Sequence, residues 1–230
     1  MTNTLLVLLP GMDGTGVLFE PLLKALPREI RPIVVKYPAD IPLSYEQLLP
    51  VVIESLPEHD PFILLGESFS GPLAIMAASR NQSNLKGVIL CATFIRNPIP
   101  WIPNWFQHVT FAPLFYFSRY FILAKALVAG YSSPMIMTLL WKAHSMVSPG
   151  VMAARARAIL DVNVEKTLRD IKVPIFFIGG TDDKVSPPKN LREIVRTRQD
   201  VKVSLIPGPH LILQTKPDEA ASIIGKILKS

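Results

Sequence analysis

Three residue types that together perform nucleophilic acyl chemistry occur along this chain in the order serine, acid, histidine. Ser68 lies in "GESFSG", Asp182 and Asp183 in "GGTDDKVSPP", and His210 in "PGPH". The hydroxyl of a free serine is a poor nucleophile and needs an adjacent base, such as imidazole, to take its proton. A carboxylate must in turn orient the imidazole and stabilise its cationic form. The set therefore predicts attack by a serine on an acyl carbonyl.

The segment around Ser68 differs by one letter from G-x-S-x-G, the pattern of a sharp strand-to-helix turn that exposes a nucleophilic serine. Its fifth position holds Ser70, and the second glycine follows at Gly71. Because such a turn forces an unusual backbone at the nucleophile, the residues two places to either side must be small. Gly66 and Ser70 meet this demand, so the pattern predicts that Ser70→Gly keeps activity and Ser70→Leu loses it.

The elements that must position these residues are short apolar runs separated by helical patterns. The runs are 4–10, 31–37, 61–66, 86–92, 173–180 and 201–208, and the helical patterns are 17–26, 44–56, 69–80, 188–198 and 217–229. Continuous apolar runs are typical of strands covered on both faces of a parallel sheet. The alternation predicts an α/β fold, a mainly parallel sheet of about six strands flanked by helices.

One interval breaks this rhythm. Residues 95–150 contain all three tryptophans and many of the other aromatic residues. We expect this interval to be a helical cap inserted into a core formed by 1–94 and 151–230. No repeat or low-complexity segment is present.

In a parallel sheet of this kind, functional residues collect at the carboxyl ends of the strands. Ser68, the Asp182–Asp183 pair and His210 follow the third, fifth and sixth apolar runs, and His210 is the only histidine placed after a strand end. This arrangement resembles the α/β-hydrolase superfamily, in particular its small capped serine esterases and thioesterases. The likeness covers nearly the whole chain. It implies the spatial strand order second, first, third, fourth, fifth, sixth.

The resemblance also implies roles for individual residues. Ser68 would be the nucleophile, His210 the base and Asp183 the orienting carboxylate, with Asp182 left as the alternative acid. The family pattern G-x-x-D-x-V-x-P is matched here by Gly180, Asp183, Val185 and Pro187. Negative charge on the carbonyl oxygen would be stabilised by two backbone N–H groups, those of Phe69 and Met12. Pro10 stands where the family's H-G-x segment has its histidine.

The implied substrate is a small-molecule carboxylic ester or thioester with an apolar acyl group. Candidate acyl-pocket residues are Trp101 and Phe106 in the cap and Leu211 beside the histidine. Two alternatives use the same fold: an acyltransferase with the same three residues, and a non-catalytic protein that binds a hydrophobic ligand.

Composition restricts the function classes. The 230 residues are 49% hydrophobic and 18% charged, which excludes intrinsic disorder. The net charge is +6, but no nucleic-acid motif accompanies it, and basic residues such as Arg155 have spacings that suit solvated helix faces. "GMDGTG" departs from the dinucleotide pattern G-x-G-x-x-G, and no metal-ligand spacing occurs. We expect no cofactor, no metal and no nucleic-acid partner.

The predicted location is cytoplasmic. The short apolar stretch at the N-terminus has no basic flank, unlike a secretory signal. The most apolar segment, 111–131, is interrupted by Pro113, Arg119 and Lys125, which argues against a spanning helix. Weak association of this segment with a membrane surface is the alternative. No pattern indicates an oligomeric state.

Overall fold

A computed structural model describes residues 4–98 and 124–229 of the chain. Its centre is a six-stranded parallel sheet in the order β2-β1-β3-β4-β5-β6. The strands are β1 Leu5–Leu9, β2 Arg31–Val34, β3 Phe62–Glu67, β4 Leu85–Cys91, β5 Ile175–Gly180 and β6 Lys202–Ile206. The predicted fold class and strand order are confirmed, and the predicted runs differ from the strands by only a few residues at their ends.

Helices cover both faces of this sheet. They are α1 Glu20–Ala25, α2 Tyr45–Glu54, α3 Ser70–Ala78, α4 Pro134–Ser145, α5 Pro149–Asp161, α6 Glu165–Asp170, α7 Pro188–Thr197, α8 Ile212–Thr215 and α9 Pro217–Lys229. Successive strand residues point to opposite faces: Leu64 packs in the cluster that includes α2 and α3, while Ile63 and Leu65 pack in the cluster that includes α1 and α9. The strands are therefore apolar throughout because both faces are buried.

Local sequence signals set several helix starts. The Ser44 side chain accepts the Gln47 backbone N–H at the start of α2 and forms a capping box with it. Ser133 and Ser148 cap α4 and α5 in the same way, each followed directly by a proline at the first helical position. These serine-proline pairs begin the helices of the segment between β4 and β5.

From residue 124 onward, the described part of that segment is mostly helical. Residues 124–128 and α4 form an apolar cluster that includes Leu18 and Leu211, so this part packs beside the carboxyl ends of β1 and β6. The predicted division of the chain into core and cap stays a prediction, and its second boundary, at residue 150, falls inside α5. No helix within 4–98 and 124–229 is long and apolar enough to cross a membrane.

Candidate active site

The candidate catalytic residues follow three strands that end at the same edge of the sheet. Ser68 comes directly after β3, Asp183 lies in the loop after β5, and His210 lies in the loop after β6. The loop 10–16 after β1 reaches the same edge, since β1 lies beside β3. The sheet topology therefore brings together residues that are far apart in sequence.

Ser68 has a strained backbone conformation. Its φ angle is +50°, in the left-handed region that non-glycine residues rarely adopt. Its N–H donates to the carbonyl oxygen of Cys91 at 2.8 Å, which ties the turn to the end of β4. Small neighbours are required here, because a Cβ on Gly66 would lie 2.8 Å from the Ala74 Cβ. In this conformation the Ser68 hydroxyl lies within hydrogen-bond distance of His210.

A row of hydrogen bonds joins Ser68, His210 and Asp183. His210 Nε2 lies 2.9 Å from Ser68 Oγ, and His210 Nδ1 lies 2.8 Å from Asp183 Oδ2. The His210 and Asp183 side chains are 3% and 5% exposed. With its proton on Nδ1 facing the carboxylate, the imidazole has a free lone pair on Nε2 for the serine proton.

Asp183, not Asp182, contacts the histidine. Asp183 Oδ1 accepts the backbone N–H groups of Val185 at 2.8 Å and Ser186 at 2.7 Å, which leaves Oδ2 for His210. The Asp182 carboxylate instead accepts the Tyr131 hydroxyl at 2.8 Å. Of the two acids that the sequence left open, the geometry favours Asp183.

Met12 lines the same cavity as Ser68, and Phe69 directly follows Ser68 in the chain. In the part of the chain that the structure describes, neither the Met12 N–H nor the Phe69 N–H meets a hydrogen-bond acceptor. The Ser68 carbonyl, which shares a peptide group with the Phe69 N–H, accepts the Thr93 hydroxyl and the Gly71 N–H. The role of these two N–H groups as oxyanion donors stays a prediction.

The carbonyl groups of the loop that carries Met12 point into the protein. Arg155, from α5, donates to the carbonyl oxygens of Met12 at 2.9 Å and Asp13 at 2.7 Å. It also donates to the Pro38 carbonyl at 2.8 Å. Arg155 is only 1% exposed, so the prediction that it lies on a solvated helix face is wrong. The spacing of basic residues along a helix does not show that Arg155 faces a loop whose carbonyl groups need a hydrogen-bond donor.

A cavity of about 280 Å³ opens beside Ser68 and His210. Its apolar wall includes Met12, Leu18, Phe94, Pro98, Leu127, Leu140, Met152, Ile159, Val185 and Leu211. Leu211, a predicted pocket residue, is thus on this wall. Trp101 and Phe106, the other two, lie outside the described residues. The wall suits an uncharged, apolar group held next to the serine.

Glu67 is a buried acid that lines the same cavity, and the sequence analysis did not predict it as a site residue. Burial raises the pKa of its carboxyl to about 7, against the lowering effect of the hydrogen bond from Gln214 Nε2 at 2.8 Å. The Asp13 carboxylate raises this pKa further, while His210 and the Gly11 N–H lower it. The only sequence signal for Glu67 is its place at the carboxyl end of an apolar strand.

Glu67→Gln is expected to change how stability depends on pH. The pKa of Glu67 rises from 4.5 to about 7 on folding. The folded wild type therefore binds this proton more tightly than the unfolded chain, and wild-type stability falls as pH rises through that window. The variant lacks this loss, so its stability relative to wild type should increase by about 2 to 3 kcal/mol between pH 5 and pH 8. Urea unfolding at both pH values measures the change. An identical difference at the two pH values would refute the shift.

No group of three or more His, Cys, Asp or Glu side chains arranged to hold a metal ion occurs among residues 4–98 and 124–229. The sequence did not show which buried groups surround the row Ser68–His210–Asp183, because each of them acts across a large separation in sequence. Tyr37, Thr93 and Arg155 reach the serine turn or the Met12 loop from other elements. Asp13 braces its own loop by accepting the Thr15 N–H at 2.9 Å.

The parallel sheet, with candidate residues at its strand ends, defines a member of the α/β-hydrolase superfamily. A family model described as serine aminopeptidase, S33 matches residues 45–214, from α2 through most of α8. This match covers more than half of the chain, and the chain therefore belongs to that hydrolase family.

Individual proteins are similar to this chain in sequence or in fold. Phytyl ester synthase 1, chloroplastic, from Arabidopsis thaliana is 36% identical over 108 residues, which cover 43% of this chain and 15% of that protein. The match therefore covers only a small part of that relative's length. A hydrolase from Oleispira antarctica superimposes with a TM-score of 0.84 over 99% of this chain and 91% of its own, at 15% identity. An esterase from Exiguobacterium antarcticum gives 0.82 over 99% and 92%, at 18% identity. At these identities the two structures support the fold alone.

Proposed function

We propose that this protein is a serine hydrolase that cleaves carboxylic esters, and secondarily thioesters, with an apolar acyl group. The observation that carries the proposal is the row Ser68–His210–Asp183 facing an apolar cavity, with distances of 2.9 Å and 2.8 Å along the row.

The first half of the reaction forms an acyl-enzyme. Ser68 Oγ attacks the carbonyl carbon while His210 Nε2 takes the hydroxyl proton. The carbonyl oxygen becomes an oxyanion that accepts the Met12 and Phe69 N–H groups. The intermediate then collapses, the bond to the leaving alcohol or thiol breaks, and His210 returns the proton to that leaving group.

The second half releases the acid. His210 removes a proton from a water molecule, which attacks the ester carbonyl of the acyl-enzyme. The same two N–H groups stabilise the second oxyanion. Collapse breaks the bond to Ser68 Oγ, and His210 gives its proton back to the serine. Asp183 keeps the imidazole oriented through both halves.

Acyl chain length should govern the rate. Each methylene buried on the apolar wall contributes about 0.8 kcal/mol, so kcat/KM should rise about threefold to fourfold per methylene until the cavity is filled. Hydrolysis of p-nitrophenyl esters from acetyl to octanoyl measures this series. An aminoacyl p-nitroanilide belongs in the panel because of the family description. A flat series, or faster cleavage of the anilide than of every ester, would contradict the proposed substrate class.

Transfer of the acyl group to an alcohol is the second candidate, favoured by the partial match to a phytyl ester synthase. The chemistry is the same until an alcohol replaces water. With excess phytol present, hydrolysis gives free acid and transfer gives a phytyl ester, which chromatography separates. We expect free acid as the main product, and a predominance of ester would favour the transferase. Failure of a fluorophosphonate to label Ser68 would instead favour the non-catalytic ligand-binding alternative.

A further inference from the structure

Ser70, at the position where the motif usually has glycine, makes two buried hydrogen bonds. It is the first residue of α3 and is fully buried. Its Oγ donates to the carbonyl oxygen of Pro10 and lies 2.7 Å from the Tyr37 hydroxyl oxygen. Because a serine hydroxyl carries one proton, and Pro10 receives it, the Tyr37 hydroxyl must be the donor to Ser70.

The hydrogen bond from Ser70 to the Pro10 carbonyl joins the two backbone segments that supply the candidate oxyanion donors. Ser70 directly follows Phe69, and Pro10 precedes Met12 by two residues. The Ser70–Pro10 contact therefore bears on how far apart the Phe69 N–H and the Met12 N–H lie.

Other contacts hold the remainder of the Met12 loop. The carbonyls of Met12 and Asp13 accept Arg155, and the Gly14 carbonyl accepts the Tyr37 N–H at 2.9 Å. Pro10 is the first residue of this loop. Its carbonyl accepts the hydroxyl of Ser70, which belongs to the turn that carries Ser68. Loss of that contact would leave the Gly11 N–H bond to Glu67 as a remaining tie at this end of the loop, with the Pro10 carbonyl released.

We propose that Ser70 is a positioning residue for the oxyanion hole, because its hydroxyl fixes the Met12 loop against the turn that carries Ser68 and Phe69. This inference rests on the proposed function. It assigns Ser70 a role that its small size alone does not require. A glycine at this position would satisfy the steric demand but leave the buried Pro10 carbonyl and Tyr37 hydroxyl without this partner.

The test is Ser70→Ala, with Ser79→Ala as the matched control. Ser79 follows the last residue of the same helix, and its hydroxyl donates to the Met76 carbonyl at 2.8 Å, far along the helix from Ser68. Rates are measured on the best p-nitrophenyl ester and expressed per Ser68 labelled by a fluorophosphonate, so that loss of folded protein does not count as loss of rate.

Ser70→Ala should lower kcat about tenfold to a hundredfold with little change in KM, because a misplaced donor weakens binding of the transition state more than binding of the substrate. Ser70→Gly should lose a similar factor, contrary to the expectation from residue size. A trifluoromethyl ketone gives a readout that a purely structural role would not move. Ser68 Oγ adds to its carbonyl carbon, the proton passes to His210, and the new oxyanion needs both N–H groups. Its affinity should fall by about the same factor as kcat.

Two outcomes would overturn the inference. Equal kcat for Ser70→Ala and Ser79→Ala, with wild type active, would remove the role of Ser70 alone. A fall in kcat with unchanged ketone affinity would show that the loss arises outside the oxyanion hole. Wild-type protein that neither turns over esters nor reacts with the fluorophosphonate would remove the proposed function, and this inference with it.

Discussion

Ser68→Ala is expected to lower kcat for ester hydrolysis by a factor of about 10⁵ to 10⁶ while leaving the fold intact. Removing the nucleophile of a serine-histidine-acid site costs nearly as much as removing the whole set, because the three residues act as a unit. The residual rate would come from substrate binding and from the N–H groups of Met12 and Phe69. The free energy of unfolding should not fall, since alanine keeps the Cβ and only the hydroxyl oxygen is removed.

The measurement is turnover of the best ester by carefully purified protein, together with fluorophosphonate labelling. Ser79→Ala again serves as the control, because it removes a hydroxyl from the same helix-and-turn unit at a distance from His210. Equal turnover by Ser68→Ala and wild type would end the proposal of a serine nucleophile. Labelling of the alanine variant would point to another reactive residue.

Asp183→Asn is expected to lower kcat by a factor of about 10⁴. The reason lies in Asp183 Oδ1, the carboxylate oxygen that does not face His210. It accepts the N–H groups of Val185 and Ser186. In the variant, the amide oxygen must take this place to satisfy both donors. The amide NH₂ group then faces His210 Nδ1 and donates to it, so the imidazole carries its proton on Nε2. That tautomer cannot accept the proton of Ser68.

Asp182→Asn is the matched comparison, since it makes the same change one residue earlier. Its carboxylate accepts the Tyr131 hydroxyl and has no contact with His210. We expect kcat to change by less than about threefold, as for an exposed polar substitution. Steady-state kinetics of the two variants on one ester decides between the acids. A larger loss in Asp182→Asn than in Asp183→Asn would reverse the assignment.

Much of the fold could be read directly from the sequence. The runs around Val7, Leu64 and Ile178 are apolar on both sides of the strand, which requires helices on both faces of the sheet. The helical intervals between them then favour parallel strands with right-handed crossovers. The strand order followed from the family resemblance. The boundaries of α5 and α6 were not predicted, because the interval between β4 and β5 offered no strand rhythm against which to place them.

The sequence by itself determined which chemistry-bearing residues end the strands: Ser68 after β3, the Asp182–Asp183 pair after β5 and His210 after β6. It could do so because strand ends and turns leave local signals of composition and spacing. Only the tertiary structure decided that Asp183 rather than Asp182 meets His210. It alone showed that Arg155 and Ser70 turn inward to hold the carbonyls of the Met12 loop. Those contacts join residues 60 and 143 positions apart, and no local pattern encodes which buried carbonyl a distant donor will satisfy.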